Sequence, residues 1–336
     1  MKRNLFLISL VAVLLASACG CSLGPRVEFI KGADKIDVMI GEKHFTSYLY
    51  GGKAYEVVKG AHKNDGGFLA KPVLFPVHTP SGIVVNRGYP LVEVESEEKD
   101  HPHHVGVFFT YGNKGEINGD DFWTNTASQQ QIRHVKVTKM KSGAGKGKLS
   151  TVMHWVGKSG EVLLEENRNM VFLAGEDEYA VDFSVDLAAQ DTKVVFNDTK
   201  EGMFAIRVAD WLREKEGSGR YLSSNGDETE KNVWGKRAQW VRLQGEKDGK
   251  KVGIAILNHP TSVNYPTYWH ARGYGLFSAN PLGQGVFEKK RNPKRARPFN
   301  LTLEPGEVAH FRFLMVIYEG DKTKQELEKQ FREFAG

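Results

Sequence analysis

Tyr179-Ala-Val-Asp-Phe-Ser-Val-Asp186 and Val308-Ala-His-Phe-Arg-Phe-Leu-Met-Val-Ile-Tyr318 decide the fold class. Apolar and polar residues alternate along both, the period-two signature of strands that bury one face. Residues 27–30, 35–40, 44–50, 105–111, 135–138, 149–155, 163–172, 252–257 and 299–303 also read as strands, separated by Gly-, Asp- or Lys-rich turns such as 141–148 and 245–249. Helical periodicity is confined to 322–334, where Leu327, Phe331 and Phe334 form one apolar stripe. No strand–helix alternation and no Gly-rich phosphate loop occurs, which argues against a nucleotide-binding α/β enzyme. The expectation is an all-β protein, a wide antiparallel β-sandwich with a short C-terminal helix.

The N-terminus carries a different signal. Met1-Lys2-Arg3 precedes an apolar run from Leu5 to Ala18, and Ala16-Ser17-Ala18 stands directly before Cys19. That layout is a secretory signal ending in a bacterial lipoprotein box. Residues 1–18 are therefore expected to be the signal peptide, Cys19 the lipidation site, 19–26 a tether and 27–336 one sandwich domain. The chain would sit in the bacterial cell envelope as a periplasmic or outer-membrane lipoprotein, meeting the membrane through its lipid alone. Cys19 and Cys21 are the only two cysteines among 336 residues, so a disulfide framework is excluded and the folded body has no thiol chemistry. The net charge is +5 and the pI about 8.9. The strongest basic run, 289–297, is short and reads as a solvated loop, so nucleic acid is not expected as a partner.

Function concentrates around Asp100-His-Pro-His-His104. Imidazoles titrate near neutral pH and ligate metals, and each needs polar partners when buried. If the strand after Pro102 runs through this motif, His103 and His104 point to opposite faces, one toward a cavity and the other into packing. Three other segments are equally dense in polar and aromatic residues: 71–87, 198–207 and 259–283.

Read together, Lys71-Pro72, Thr79-Pro-Ser-Gly82, His101-Pro-His-His104-Val-Gly106, Asn118-Gly119 with Asp121-Phe-Trp123, Glu201-Gly202 with Arg207, His259-Pro260, Pro266-Thr-Tyr-Trp-His270 and Asn280-Pro281 resemble the PmoA-like family. The resemblance implies a galactose-mutarotase-like supersandwich similar to carbohydrate-processing domains. The family's alternative name, methane oxygenase, fails a physical test. A membrane oxygenase subunit needs spans of about 20 apolar residues, whereas no such run exists beyond residue 18 and the mean hydropathy is −0.42.

The expected catalytic candidates are His103, His104 and His270 as acid or base, with Glu201 and Asp121 as carboxylates. Arg207 would set the ionisation of Glu201, or the two would form a structural ion pair. Trp123, Trp234, Tyr268 and Trp269 are sugar-stacking platforms or core residues. Lys71, Arg87 and Arg207 can meet a carboxylate, as on a uronic acid, or a developing oxyanion. His259 and Asn280 complete the substrate-binding set. A divalent metal is possible, held by His101 and His103 with His259 or His270 and Asp121 or Glu201; otherwise no cofactor is expected. The favoured reading is a carbohydrate-processing enzyme of hydrolase, lyase or epimerase type. A non-catalytic glycan-binding lipoprotein and a metal-dependent oxidoreductase are its alternatives.

Overall fold

The two strands that alternate most cleanly lie side by side. Glu178–Ala189 pairs antiparallel with Val308–Glu319, with Phe183 opposite Phe313 and Val185 opposite Phe311. These residues and Val181, Leu187, Met315 and Ile317 point inward and are buried, each large apolar side chain contributing about 1.5–3 kcal/mol by leaving water. The computed structural model describes residues 24–50, 69–124, 130–294 and 296–336. The signal peptide and Cys19 lie outside the described residues.

Around this pair an eight-stranded sheet runs in the order Arg220–Ser223, Trp240–Lys247, Lys250–Asn258, Val308–Glu319, Glu178–Ala189, Val162–Ala174, Lys146–Val156 and Gln131–Lys141. A nine-stranded sheet faces it, ordered Tyr268–Ala271, Leu276–Asn280, Gly202–Arg207, Val107–Tyr111, Val73–Val77, Lys43–Leu49, Lys35–Ile40, Arg26–Lys31 and Gly143–Ala144. Their inner faces share one hydrophobic core, which includes Phe109, Phe204, Phe277 and Trp269 from the second sheet. The architecture is thus the expected antiparallel sandwich.

Each outer face is covered differently. On the eight-stranded sheet, Ala180, Leu257, Leu314 and Val316 pack against Leu327 and Phe331 of the C-terminal helix Lys324–Ala335, whose first turn is closed by reciprocal hydrogen bonds between Thr323 and Glu326. On the nine-stranded sheet, among the described residues, no helix packs on the apolar centre. There Val73, Phe75, Val105, Phe108, Trp123, Ala205 and Leu276 form a second apolar cluster roofed by loops, and polar side chains follow the same outward alternation toward the sheet edge.

The helix Gln284–Arg291 is a departure from the sequence reading, because eight residues are too short to show a period. Lys289, Lys290 and Arg291 occupy its last turn, where cations favour the helix dipole.

Candidate functional site

Outward positions of the nine-stranded sheet build the site. Along Tyr268–Ala271, Trp269 and Ala271 enter the core, so Tyr268 and His270 face outward. By the same alternation Ser278 and Asn280, Ala205 and Arg207, and Phe108 and Thr110 share that outer face. Register then places His270 opposite Ser278, and Ser278 opposite Ala205.

The histidine motif is a turn, not the start of the strand. His104 N–H donates to the His101 carbonyl at 3.0 Å, and His101 and Gly106 both have positive φ. A Cβ at Gly106 would stand 2.2 Å from the Leu74 carbonyl oxygen, so the motif must end in glycine. The turn brings His103 and His104 together, rings 4.4 Å apart and 79° between planes, instead of sending them to opposite faces. His101 stacks on His104 at 4.9 Å and on Tyr274 at 5.3 Å, and His104 continues the column to Phe108 at 6.0 Å.

Beneath the column lies a buried charge cluster. Asp100 Oδ1 accepts from Arg87 Nη1 at 2.5 Å and Arg207 Nη2 at 2.7 Å, while its Oδ2 accepts from His101 Nδ1 at 2.7 Å. Burial opposes ionisation of Asp100, yet the His101 hydrogen bond and the two guanidinium groups hold it well below the usual carboxylate range. Arg87 also donates to the carbonyls of Asp100 and His101, and Arg207 lies 4.7 Å from the centre of the Tyr274 ring. Lys71 is buried too and donates to the Trp123 carbonyl at 2.8 Å.

These cations govern the imidazoles. Burial, then Lys71, His101, Arg87 and Arg207, depress His103 to about 2. Burial and the neighbouring His103 and Arg207 push His104 well down; neither of its ring nitrogens has a hydrogen-bond partner among the described residues. His270 is depressed to about 3 by burial, Lys200 and Arg272, against an opposing hydrogen bond from its Nδ1 to the Lys200 carbonyl at 2.9 Å. That bond places the proton on Nδ1 and leaves Nε2 an acceptor. Nε2 makes no hydrogen bond among the described residues, and His270, on the outer face of the sheet, is 2% exposed.

Neutral burial of these side chains makes the fold acid-sensitive. Unfolded histidine binds a proton near pH 6.5, whereas the folded His103, His104 and His270 do not until far lower pH. Their stabilising contribution is complete above about pH 6.5 and is lost as pH falls toward the folded values, by about 1.4 kcal/mol per pH unit for each. Urea unfolding between pH 6.5 and 5, above the range of ordinary carboxylates, is expected to show stability dropping with an uptake exceeding three protons at the lower end, since burial also lowers His134 to about 4. A flat stability over that interval would contradict the neutral cluster.

Glu201 lies one residue past the carbonyl that orients His270 and is ion-paired with Lys200. It does not pair with Arg207, which sits at the other end of the Gly202–Arg207 strand, roughly 20 Å along an extended chain. Tyr274 feels the same carboxylate. Burial raises its hydroxyl to about 12, with Arg207 and Arg272 opposing and Glu201 and Asp100 adding to the rise. Tyr274 therefore stays protonated as a donor. His103, His104, Glu201, His270, Arg87, Arg207 and Lys71 all belong to this face.

Other expected members are elsewhere. His259 sits on the opposite sheet under the C-terminal helix, its Nε2 3.1 Å from Arg312 Nη1 and its ring 4.9 Å from Phe334. Asp121 accepts from Thr124 at 3.2 Å; burial raises its pKa, with Thr124, Gln130, Glu116 and Lys158 as its other influences and no histidine among them. Asn280 uses its amide on the Thr199 carbonyl and the Leu282 N–H, a scaffold role. Tyr268 has no free face, since Arg237 lies 4.5 Å from its ring centre and Phe287 stacks at 5.7 Å. Trp123 and Trp269 are fully buried. Trp234 alone of the four aromatics keeps partial exposure, with its ring 6.3 Å from His270.

The proposed metal set is divided by these placements. Among the described residues no group of three or more His, Cys, Asp or Glu side chains is arranged to hold a metal ion. His101 and His103, the expected pair, have ring centres 5.7 Å apart with planes at 74°, and His259, expected to join them, lies on the opposite sheet. Among the described residues no helix is long and apolar enough to cross a membrane.

Residues 35–332 match the family of unknown function DUF6807. The chain belongs to that family. This overturns the resemblance to the PmoA-like family, whose motifs were quoted from short peptides spread over the same span. No curated protein matches this DUF6807 chain. Among solved structures it is similar to a galactose mutarotase-like protein from Clostridium acetobutylicum, at 10% identity and TM-score 0.39, covering 89% of this chain and 99% of that one. A putative aldose 1-epimerase from Escherichia coli K12 gives 10% identity and TM-score 0.36, with coverages of 88% and 98%. A GH36 α-galactosidase from Geobacillus stearothermophilus gives 12% and 0.33, covering 88% of this chain and 41% of that one. The DUF6807 chain thus spans about two-fifths of the α-galactosidase's length, and no activity carries over from any of the three.

Proposed function

We propose that this DUF6807 protein is an exported lipoprotein, anchored through Cys19, that processes a carbohydrate by acid–base chemistry on the outer face of its nine-stranded sheet. The observation that carries the reading is His270: its Nδ1 is fixed by the Lys200 carbonyl, its ring is held neutral on the outer face of the sheet, and its Nε2 is left without a hydrogen-bond partner among the described residues. Such an imidazole accepts a hydrogen bond from a sugar hydroxyl at neutral pH, and gains basicity when the negative charge of a bound ligand offsets the burial that depresses it. Glu201 follows the residue whose carbonyl holds that ring, and the Tyr274 hydroxyl, kept protonated, can donate to the oxygen on which charge develops. Trp234 offers an apolar surface for pyranose C–H groups at the same end of the cleft. Hydrolysis, elimination and epimerisation all use such a set.

A glycan library incubated with the full chain tests this, with products read by mass and by proton NMR. Turnover of at least one saccharide is expected, with deuterium from solvent entering the product if the reaction removes a carbon-bound proton. Saturable binding without any product would reduce the protein to a glycan-binding module, and neither binding nor turnover would remove carbohydrate from the reading.

A further inference from the structure

Near His270, on the other side of Trp234, lies a cavity of about 380 Å³ lined by Glu230, Lys231, Trp234, Arg272, Lys290 and Arg291. Four of these residues are cationic and one is acidic. Glu230 is already engaged: its Oε1 lies 3.0 Å from Arg272 Nε, and its Oε2 accepts from the Gly273 N–H at 2.8 Å. Arg291 is tied to the carbonyls of Lys231 and Trp234. The ammonium groups of Lys231 and Lys290 have no ion-pair or hydrogen-bond partner among the described residues, and both side chains are exposed. The cavity therefore presents uncompensated positive charge, which concentrates an anion at its mouth.

This cavity adjoins the proposed site through two of its lining residues. Trp234 lines it and reaches His270 edge-on at 6.3 Å; Arg272 lines it and lies 5.4 Å from the centre of the Tyr274 ring. The indole Nε1 of Trp234 is buried without a partner, so the ring, not its polar edge, is what the cavity offers. Behind them, Arg87 and Arg207 share the single carboxylate of Asp100, adding to the positive field. We infer that the saccharide bound here is anionic, with a carboxylate, as on a uronic acid, seated among Lys231, Lys290 and Arg272 and its pyranose ring against Trp234. The inference rests on the carbohydrate reading above and names its substrate class.

Calorimetry with the full chain separates the two claims. The probes are trisaccharides of glucuronate, galacturonate and mannuronate, each paired with its methyl ester, and citrate as a carboxylate without a sugar. At least one acid is expected to bind about tenfold or more tightly than its ester, and the preference should shrink as salt rises from low ionic strength. Lys231→Gln with Lys290→Gln, at exposed positions that leave the fold untouched, should lower affinity for the acid about tenfold and leave the ester unchanged; Arg272→Gln should do the same. Equal binding of acid and ester would overturn the anionic inference and leave the carbohydrate reading standing. Citrate bound as tightly as the best trisaccharide, or no binding by any probe, would overturn both. A double lysine variant with undiminished preference for the acid would remove this cavity as its seat.

Discussion

Asp100→Asn is expected to destabilise the protein by about 3–5 kcal/mol, the range for stripping the partner from a buried charge. Asp100 is itself 32% exposed, but the Arg87 and Arg207 side chains that share its Oδ1 are 0% exposed. An amide matches the carboxylate in size, so packing is conserved and only the charge is removed. Two guanidinium groups would then face each other without a counter-ion, and the interior cannot hydrate them. Arg87 shows the strain of this arrangement even with Asp100 in place, since burial and then the nearby Arg207 lower it to about 10. Urea unfolding at pH 7 checks the prediction. A loss below about 1 kcal/mol would mean that the arginines find other partners, such as the carbonyls of Glu98 and His104 that Arg87 already approaches. The wild type should keep this contribution on acidification: the folded pKa of Asp100 is depressed, so the stabilisation is complete above the unfolded value near 3.9 and is lost only as pH falls through the folded value.

The sandwich was legible because its eight-stranded sheet contains strands whose inner and outer residues differ in polarity, as along Glu178–Ala189. The strands that carry the site were less so. Gly202–Arg207, Tyr268–Ala271 and Leu276–Asn280 are buried on both sides, which erases alternation. Polar density in sequence still pointed to the right segments, because each crosses or borders the outer face of the same sheet. It could not tell which side of a strand a residue takes: His259 and His270 are separated by few residues, yet one packs beneath the C-terminal helix and the other faces the cleft. Asp100 was visible beside His101 but went unused as the charge partner, because pairing it with Arg87 and Arg207 requires three separate segments to converge. Tyr274 stood in the Tyr274-Gly-Leu-Phe motif but was given no role, because only the positive φ of +104 at Gly275 turns the chain back so that the ring meets His101.

Glu201→Gln and His270→Ala should each lower turnover of the saccharide identified by the library by about 10²–10⁴-fold, the usual contribution of one positioned acid–base group. The glutamine preserves volume and can still accept from Lys200, so its effect reports charge. His270→Ala removes a neutral imidazole whose Nε2 is unpaired among the described residues, and its structural cost is limited because the lost hydrogen bond ends on the backbone carbonyl of Lys200. Melting temperature measured alongside the rates separates chemistry from folding. The pH profile offers an independent check. Since burial, Lys200 and Arg272 hold His270 near 3, the imidazole is already unprotonated throughout the neutral range, and the profile should show no imidazole limb between pH 6 and 8; at lower pH the acid loss of the fold limits activity first. A limb at pH 6–7 would mean that another group does the work. Full activity in both variants at unchanged melting temperature would return Glu201 and His270 to the scaffold and leave the cleft without its acid–base pair.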